Sequence, residues 1–213
     1  MRAYGIAVAE ARLVTSASDI AGAVAALGDP LVMKIVSPDI VHKSDVGGVR
    51  VGLSGESAVR EAFDAMLARV RAHQPSARVT GVLLQRQVDG GREMIAGMSR
   101  DPGFGPLVMF GLGGIFVEAV RDVTFRLAPI DDRQAREMVR GIAGAKILEG
   151  IRGQPPADRD ALADVLRRIA QLAVDIPAIA ELDANPVLAL ERGAIVVDAR
   201  VALTTGESQP ESG

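Results

Sequence analysis

Lys34, His42 and the pair Gly47-Gly48 fall within one stretch, 34–49, and each could do chemistry. The apolar run Leu31-Val32-Met33 delivers Lys34 to the end of a strand, Pro38 turns the chain, and another apolar run starts at Val49. This reads as strand, loop, strand, with one imidazole on the loop. His42 is the group here able to accept and pass on a phosphoryl group at neutral pH. Lys34 supplies a fixed positive charge, and Gly47-Gly48 let backbone N–H groups come close to an anion, which suits phosphate handling. Plainer readings exist for both. Lys34 reads equally as a surface lysine laying its stem over the sheet edge, with Lys43 and Arg50 as rivals for a phosphate contact. His42 reads equally as an exposed loop histidine with no task. His73 ends an amphipathic helix, where a partly positive imidazole suits the C-terminus.

Two further groups of residues could act. Asn185 and Asp198 are placed at the ends of neighbouring strands, so that both oxygens could point to one place. Hard oxygen ligands supplied sparingly suit Mg²⁺. Alternatively, Asn185 only turns the chain before Pro186 and Asp198 only ends a strand. Gly111, Gly113 and Gly114 follow a buried-looking strand, a cluster that is often just a tight turn. Glu118, Asp122 and Arg126 give the following segment a mixed-charge face.

The elements that must position these residues follow from periodicity and caps. Residues 3–14 read as an extended leading strand. Ser16 or Ser18 caps a helix with Ile20, Ala23, Val24 and Leu27 on its apolar side, ended by Gly28-Asp29-Pro30. Ser54 starts the clearest amphipathic helix, with Val59, Ala62, Phe63, Met66, Leu67 and Val70 at helical spacing up to His73. The stretch 79–88 is a strand that turns polar at Gln85–Gln87, as expected where it leaves the core at a ligand-docking edge. Asp89-Gly90-Gly91 then turns it into 92–98 as a hairpin. Strands at 107–110 and Val123–Leu127 precede a helix capped by Asp131, a short helical piece at 145–149, and a long helix capped by Asp158. Two strands, roughly 178–182 and 194–197, close the fold. Strands and helices joined by short loops give an α/β pattern.

Composition bounds the function. A chain of 213 residues can bury one large core or two lobes. Its 48% hydrophobic and 24% charged residues are ordinary for a globular protein. A net charge of −3 without a dense basic cluster excludes a nucleic-acid surface and points to phosphates on small molecules. With no cysteine, disulfide and thiolate chemistry are excluded. The opening Met-Arg-Ala-Tyr-Gly reads as neither signal peptide nor membrane span, and no apolar run approaches the ~20 residues a span needs. A cytoplasmic location, with no membrane partner, is expected.

The run SPDIVHKSDVGGV at 37–49 resembles the signature of the ATP-grasp domain (beta-subunit type) of NDP-forming acyl-CoA synthetases. That group includes the ADP-forming acetyl-CoA synthetases and is related to succinyl-CoA synthetase. The resemblance runs from about Tyr4 to Leu203 and includes GLGGIFVE, DVTFRLAPI and Glu181-Leu-Asp183-Ala-Asn185-Pro186 in order. It implies an α/β ATP-grasp fold whose two lobes clasp a nucleotide and Mg²⁺. The lobes would be 16–87 and 88–203, with 1–15 a leading strand joining the larger lobe and 204–213 a disordered tail. By the same resemblance Lys34 contacts nucleotide phosphates, and His42 takes a phosphoryl group from a partner phosphohistidine and hands it to ADP. Asp183 occupies the place of an acidic residue that steadies the phosphohistidine, and Asn185 and Asp198 hold Mg²⁺. Gln85, Gln87 and Val88 match the segment whose backbone reads adenine, and Glu93 would face ribose or metal. Gly113 and Gly114 would line the phosphate or partner-facing cleft, with Arg126 a phosphate contact.

The implied activity is phosphoryl transfer between phosphohistidine and ADP/ATP with Mg²⁺, as one component of an ADP-forming acid-CoA ligase. Nothing in the sequence resembles a CoA-binding domain. An alpha subunit, or domains elsewhere in a longer chain, would supply it. A nucleotide-sensing module that regulates a fused or partner enzyme is the alternative, and a carboxylate–amine ligase a second one. The presence of His42 counts against both. The acyl group and the choice between ADP and GDP are not legible.

Overall fold

A central strand buried on both faces reads as a continuous apolar run, and β2 (Leu31–Val36) is one, buried from Leu31 to Ile35. In the computed structural model, which describes residues 1–40, 42–114, 122–150, 153 and 155–204, β2 belongs to the smaller of two units, Ala9–Asp89. Its sheet has the order β1-β4-β2-β3, with β1 spanning Ala11–Val14, β3 Val49–Leu53 and β4 Gly81–Arg86. All its pairs are antiparallel. Helix α1 (Ile20–Leu27) buries Ile20, Ala23 and Leu27, and α2 (Glu56–His73) buries Val59, Ala62, Phe63, Met66 and Val70. These stripes close one core with Val14, Leu31, Met33, Ile35, Val82 and Leu84 from one face of the sheet. Each large side chain so buried contributes about 1.5–3 kcal/mol. The Asp19 carboxylate accepts the Thr15 and Ser16 N–H groups (3.2 and 3.0 Å) and fixes the approach to α1. Gly28, at φ 69°, ends that helix.

The larger unit comprises Met1–Val8 and Gly90–Gly213. Its six-stranded sheet runs β10-β8-β5-β6-β7, and β9 (Ala194–Val196) also pairs with β8. The other strands are β5 (Arg92–Asp101), β6 (Gly105–Leu112), β7 (Val123–Leu127), β8 (Ile179–Ala189) and β10 (Ala199–Leu203). Helices α3 (Asp132–Gly141) and α4 (Arg159–Asp175) cover one face. There Ala135, Met138, Leu162, Leu166 and Ile169 meet Met94, Ala96, Val108, Phe110 and Leu182. Asp131 and Gln134 form a capping box at α3, and Asp158 caps α4, both at the expected positions. A bridge from Val8 to Val196 and a Val196 N–H bond to the Ala7 carbonyl (2.9 Å) tie the first residues to this unit. Among the described residues no helix is long and apolar enough to cross a membrane.

Three sequence expectations change. β4 and β5 do not pair as a hairpin: each belongs to a different sheet, and the glycine turn between them is the linker between units. Gly90 and Gly91 have φ 74° and 84°, so the turn signal was real but its strands find other partners. Residues 9–15 belong to the smaller unit, because β1 pairs with β4. Asn185 lies inside an eleven-residue strand, not at the end of one. Of the expected tail, residues 205–213 lie outside the described residues.

Candidate functional site

The alternation of β2 sends Leu31, Met33 and Ile35 into the helix-covered core and leaves Val32 and Lys34 on the opposite face. On β4, Leu83 pairs with Lys34 and Gln85 with Val32, so Lys34 and Gln85 are diagonal neighbours on that face. They are the two buried polar side chains among the described residues, 8% and 3% exposed. The reading of Lys34 as a surface lysine therefore fails. Its rival Arg50 pairs with Met33, on the helix side of the sheet, and is exposed. Lys43 is half-buried in the loop.

His42 is exposed on the loop between β2 and β3. Buried Ile40 and Val46 anchor the loop on either side of it. The turn is closed by its own main chain: Asp45 N–H to His42 carbonyl (3.3 Å), Gly47 N–H to Ser44 carbonyl (3.0 Å) and Gly48 N–H to Lys43 carbonyl (2.7 Å). Both glycine N–H groups are thus engaged within the loop, which corrects their reading as an anion cradle. Their need for glycine is steric. Gly47 has φ +65°, and a Cβ on Gly48 would sit 2.5 Å from Ile35 Cγ2. Among the described residues neither Ser44 nor Asp45 hydrogen-bonds the His42 ring. Just before the loop, Asp39 takes the Arg78 N–H (2.8 Å) and two guanidinium N–H groups (2.9 and 2.7 Å). That guanidinium holds the Asp39 carboxyl down to about 2.

Gln87 is engaged at its main-chain N–H and at both side-chain polar atoms: the N–H reaches the Pro30 carbonyl (2.9 Å), Oε1 accepts the Gly52 N–H (2.8 Å), and Nε2 donates to Asp89 Oδ1 (2.7 Å). Its main-chain donor is therefore not free to read a base. Val88 is half-buried after the end of β4.

In the larger unit the chemistry gathers on the sheet face that α3 and α4 leave uncovered. Glu181, Asp183 and Asn185 alternate with core residues Leu182 and Ala184, so all three share this face. They line an open cavity of about 490 Å³ with Ile95, Ser99 and Phe125. Gly97 lies opposite Asp183, where a Cβ would meet the Leu182 carbonyl at 2.5 Å. Asn185 and Pro186 together oppose Ile95, a bulge, and this is how a proline is accommodated in an internal strand. The Asn185 N–H turns away from β5 to the Asp198 carbonyl (3.0 Å), which makes the two residues neighbours. Asp198 Oδ1 accepts the Ala199 N–H (3.0 Å).

Burial raises the pKa of the Asp183 carboxyl, and the charges of Glu181 and Asp198 push it the same way. Arg200, directly across the ladder from Asp183, opposes them. The donor set fits Mg²⁺: an amide oxygen and a carboxylate on adjacent backbone positions, both hard and few in number. Among the described residues no group of three or more His, Cys, Asp or Glu is arranged to hold a metal.

The structure does not bring Arg126 to this face. Arg126 pairs with core residue Val108, so it projects from the other side of edge strand β7, and its guanidinium bonds the Phe125 carbonyl (2.9 Å). Gly113 and Gly114 pack on Glu93, which is exposed on β5. A Cβ would come 2.7 Å from the Glu93 carbonyl carbon at Gly113 and 2.8 Å from Glu93 Oε2 at Gly114. Asp122 accepts the Ala143 and Gly144 N–H groups (2.6 and 2.7 Å), a structural task. Glu118 lies outside the described residues. Sequence reasoning gave Glu181 and Arg200 no role. The period of two through Glu181, Asp183 and Asn185 was the available signal for Glu181, whereas Arg200 shows only through the β8–β10 register.

Residues 1–203 match the ATP-grasp domain family. The chain is 52% identical over 206 residues to ADP-forming acetate-CoA ligase I of Archaeoglobus fulgidus, a match covering 95% of this chain and 30% of that protein. It is 46% identical over 203 residues to the beta subunit of ADP-forming acetate-CoA ligase I of Pyrococcus furiosus, covering 95% of this chain and 88% of that one. Among solved structures, the dinucleotide-forming acetyl-coenzyme A synthetase 1 of Ca. Korarchaeum cryptofilum, in complex with coenzyme A, Ca-AMPCP and HgCl⁺, has a TM-score of 0.92. It is 46% identical and the match covers 95% of this chain and 88% of that one. A second structure of that synthetase holds coenzyme A and Mg-AMPPCP, with its phosphohistidine segment pointing towards the nucleotide-binding site. Its TM-score is 0.83 at 43% identity, with 95% and 87% covered. With nearly every described element inside the match, the chain belongs to the ATP-grasp domain family.

Proposed function

We propose that this chain is the nucleotide-binding component of an NDP-forming acyl-CoA synthetase and moves a phosphoryl group between a phosphohistidine and ADP/ATP with Mg²⁺. The observation that carries the reading is His42, exposed on a loop that springs from the strand holding buried Lys34. His42 takes the phosphoryl group as a phosphoramidate. When the P–N bond breaks, a P–O bond forms to the terminal phosphate of ADP and the imidazole is released. A phosphoramidate lies high enough in energy to make both directions accessible. Lys34 supplies positive charge toward the moving group. Asn185 and Asp198 hold Mg²⁺, which neutralises phosphate charge when bound. Asp183 receives the imidazole N–H of the incoming phosphohistidine and steadies that ring. Gln85 and Val88 flank the nucleotide, with Glu93 toward its ribose and Gly113 and Gly114 lining the approach.

The relatives support the ligase over a sensor, since they are ADP-forming acetate-CoA ligases. Because the chain spans 30% of the Archaeoglobus protein and 88% of the Pyrococcus beta subunit, CoA-binding domains on an alpha subunit or in a longer chain complete the reaction. A cytoplasmic setting goes with a reaction fed by ATP, ADP and CoA. The test is incubation with Mg²⁺ and ATP labelled on the γ-phosphate. Acid-labile, base-stable label that His42→Ala abolishes is expected. Absence of label with nucleotide binding intact, even after addition of the CoA-binding partner, would sink the transfer reading and leave the sensor.

A further inference from the structure

The smaller unit carries a groove lined by none of the residues that take part in the phosphotransfer proposed above. It lies between α2 and β3, with an open volume of about 340 Å³, near the lower end of ~300–1,000 Å³ for small-molecule sites. Its floor is apolar, made by Leu53, Ala62, Ala65 and Met66. Leu53 pairs with Leu31, and Ala62 and Met66 join the helix-side core, so the groove opens on the opposite side of the sheet from Lys34 and Gln85. Arg50 and Arg69 stand on its rim. Both are exposed, and among the described residues neither guanidinium has a hydrogen-bonding or ionic partner. One acid, Glu61, also lines the groove, and its carboxylate accepts the Ser57 hydroxyl (3.3 Å).

Arg69 also packs against the loop that carries His42. Its side chain crosses Gly47 so closely that a Cβ there would lie 2.5 Å from Arg69 Cδ and 2.9 Å from Nη1. Guanidinium forks match the paired oxygens of carboxylates and phosphates, and the apolar floor suits an uncharged body behind such an anion.

We propose that this groove binds a small oxyanion, a carboxylate or phosphate ester, carried on an aryl or short-alkyl group. Through Arg69 on Gly47 the occupant bears on the loop that carries His42. The site stands independently of the phosphotransfer reading.

The test uses the full chain, ¹⁵N-labelled, titrated with phenyl phosphate, phenylacetate, inorganic phosphate and benzyl alcohol. Saturable shifts at the Gly47 and Leu53 amides are expected with at least one of the two aryl anions. Whichever binds more tightly identifies phosphate ester or carboxylate. Inorganic phosphate and benzyl alcohol should each bind about tenfold more weakly, the scale of ~1.4 kcal/mol for losing the apolar body or the charge. The double change Arg50→Gln with Arg69→Gln should weaken binding tenfold or more. Ala65→Leu, at an exposed helix position that tolerates leucine, should block the floor with both charges intact. Shifts that do not saturate, that persist in both variants, or that are equal for inorganic phosphate and phenyl phosphate would overturn the proposal, the last marking an adventitious ion only. Labelling of His42 is read separately, so its failure leaves this result standing.

Discussion

Single residues in this protein owe their behaviour to what the fold places beside them. Asp39 is held down to about 2 by Arg78. A carboxyl depressed in the folded state stabilises above its unfolded value of about 3.9 and loses that contribution as pH falls toward 2. Carbon-detected NMR should therefore show Asp39 titrating near 2 in the parent and returning toward the ordinary aspartate range in Arg78→Gln. Asp183 runs the other way. Its raised pKa means that the folded state resists the carboxylate, a penalty absent below the unfolded pKa and present once pH rises through the folded one. Asp183→Asn should accordingly raise Tm in Mg²⁺-free buffer at pH 7, with the gain lost as pH falls below the ordinary aspartate value of about 3.9. The same variant should lose the proposed phosphoryl transfer, the pattern of a site that stability alone would not select.

Secondary-structure elements are joined at a few polar and steric points. The Asp158 carboxylate accepts the Ala161 N–H (2.9 Å) at the start of α4 and the Gly193 N–H (2.8 Å) in the β8–β9 turn. Asp158→Ala leaves both donors unmet and should cost about 2 kcal/mol, a fall of roughly 4–8 °C in Tm for a chain of this size. Gly97 serves the β5–β8 contact by having no side chain. In Gly97→Ala the new Cβ meets a carbonyl oxygen of the neighbouring strand, which cannot move without breaking the ladder. A loss of about 2–3 kcal/mol is expected in denaturant unfolding, together with weaker binding of Mg²⁺ at the proposed Asn185 site, two residues beyond the strained pair.

At the scale of the whole molecule, two hydrophobic cores stand under two sheets. Leu84 and Leu166 are fully buried, one in each. Either change to alanine should cost about 2–5 kcal/mol. Hydrogen exchange would locate the damage: faster exchange in β1, β2 and β4 for Leu84→Ala, and in α4, β5 and β6 for Leu166→Ala. Loss of protection spread evenly over both sheets from either change would refute the assignment of separate cores.

What the sequence determined by itself was local. The caps at Asp131 and Asp158, the amphipathic stripe of α2, the apolar run of β2 and the strand–loop–strand around His42 are written in neighbouring residues, and each of these elements forms where expected. Three things were decided only by tertiary structure. Whether the strands flanking Gly90-Gly91 pair with each other depends on competing partners far along the chain, and the two sheets won. Which face Arg50, Arg126 and Arg200 occupy depends on register and bulges, since one residue of shift exchanges the two faces of a strand. Whether the Gly47 and Gly48 amides are available to an anion depends on how the turn closes, and there the main chain meets its own donors first. Local pattern fixes what a residue can do; long-range pairing, with its bulges and close backbone approaches, fixes what it faces.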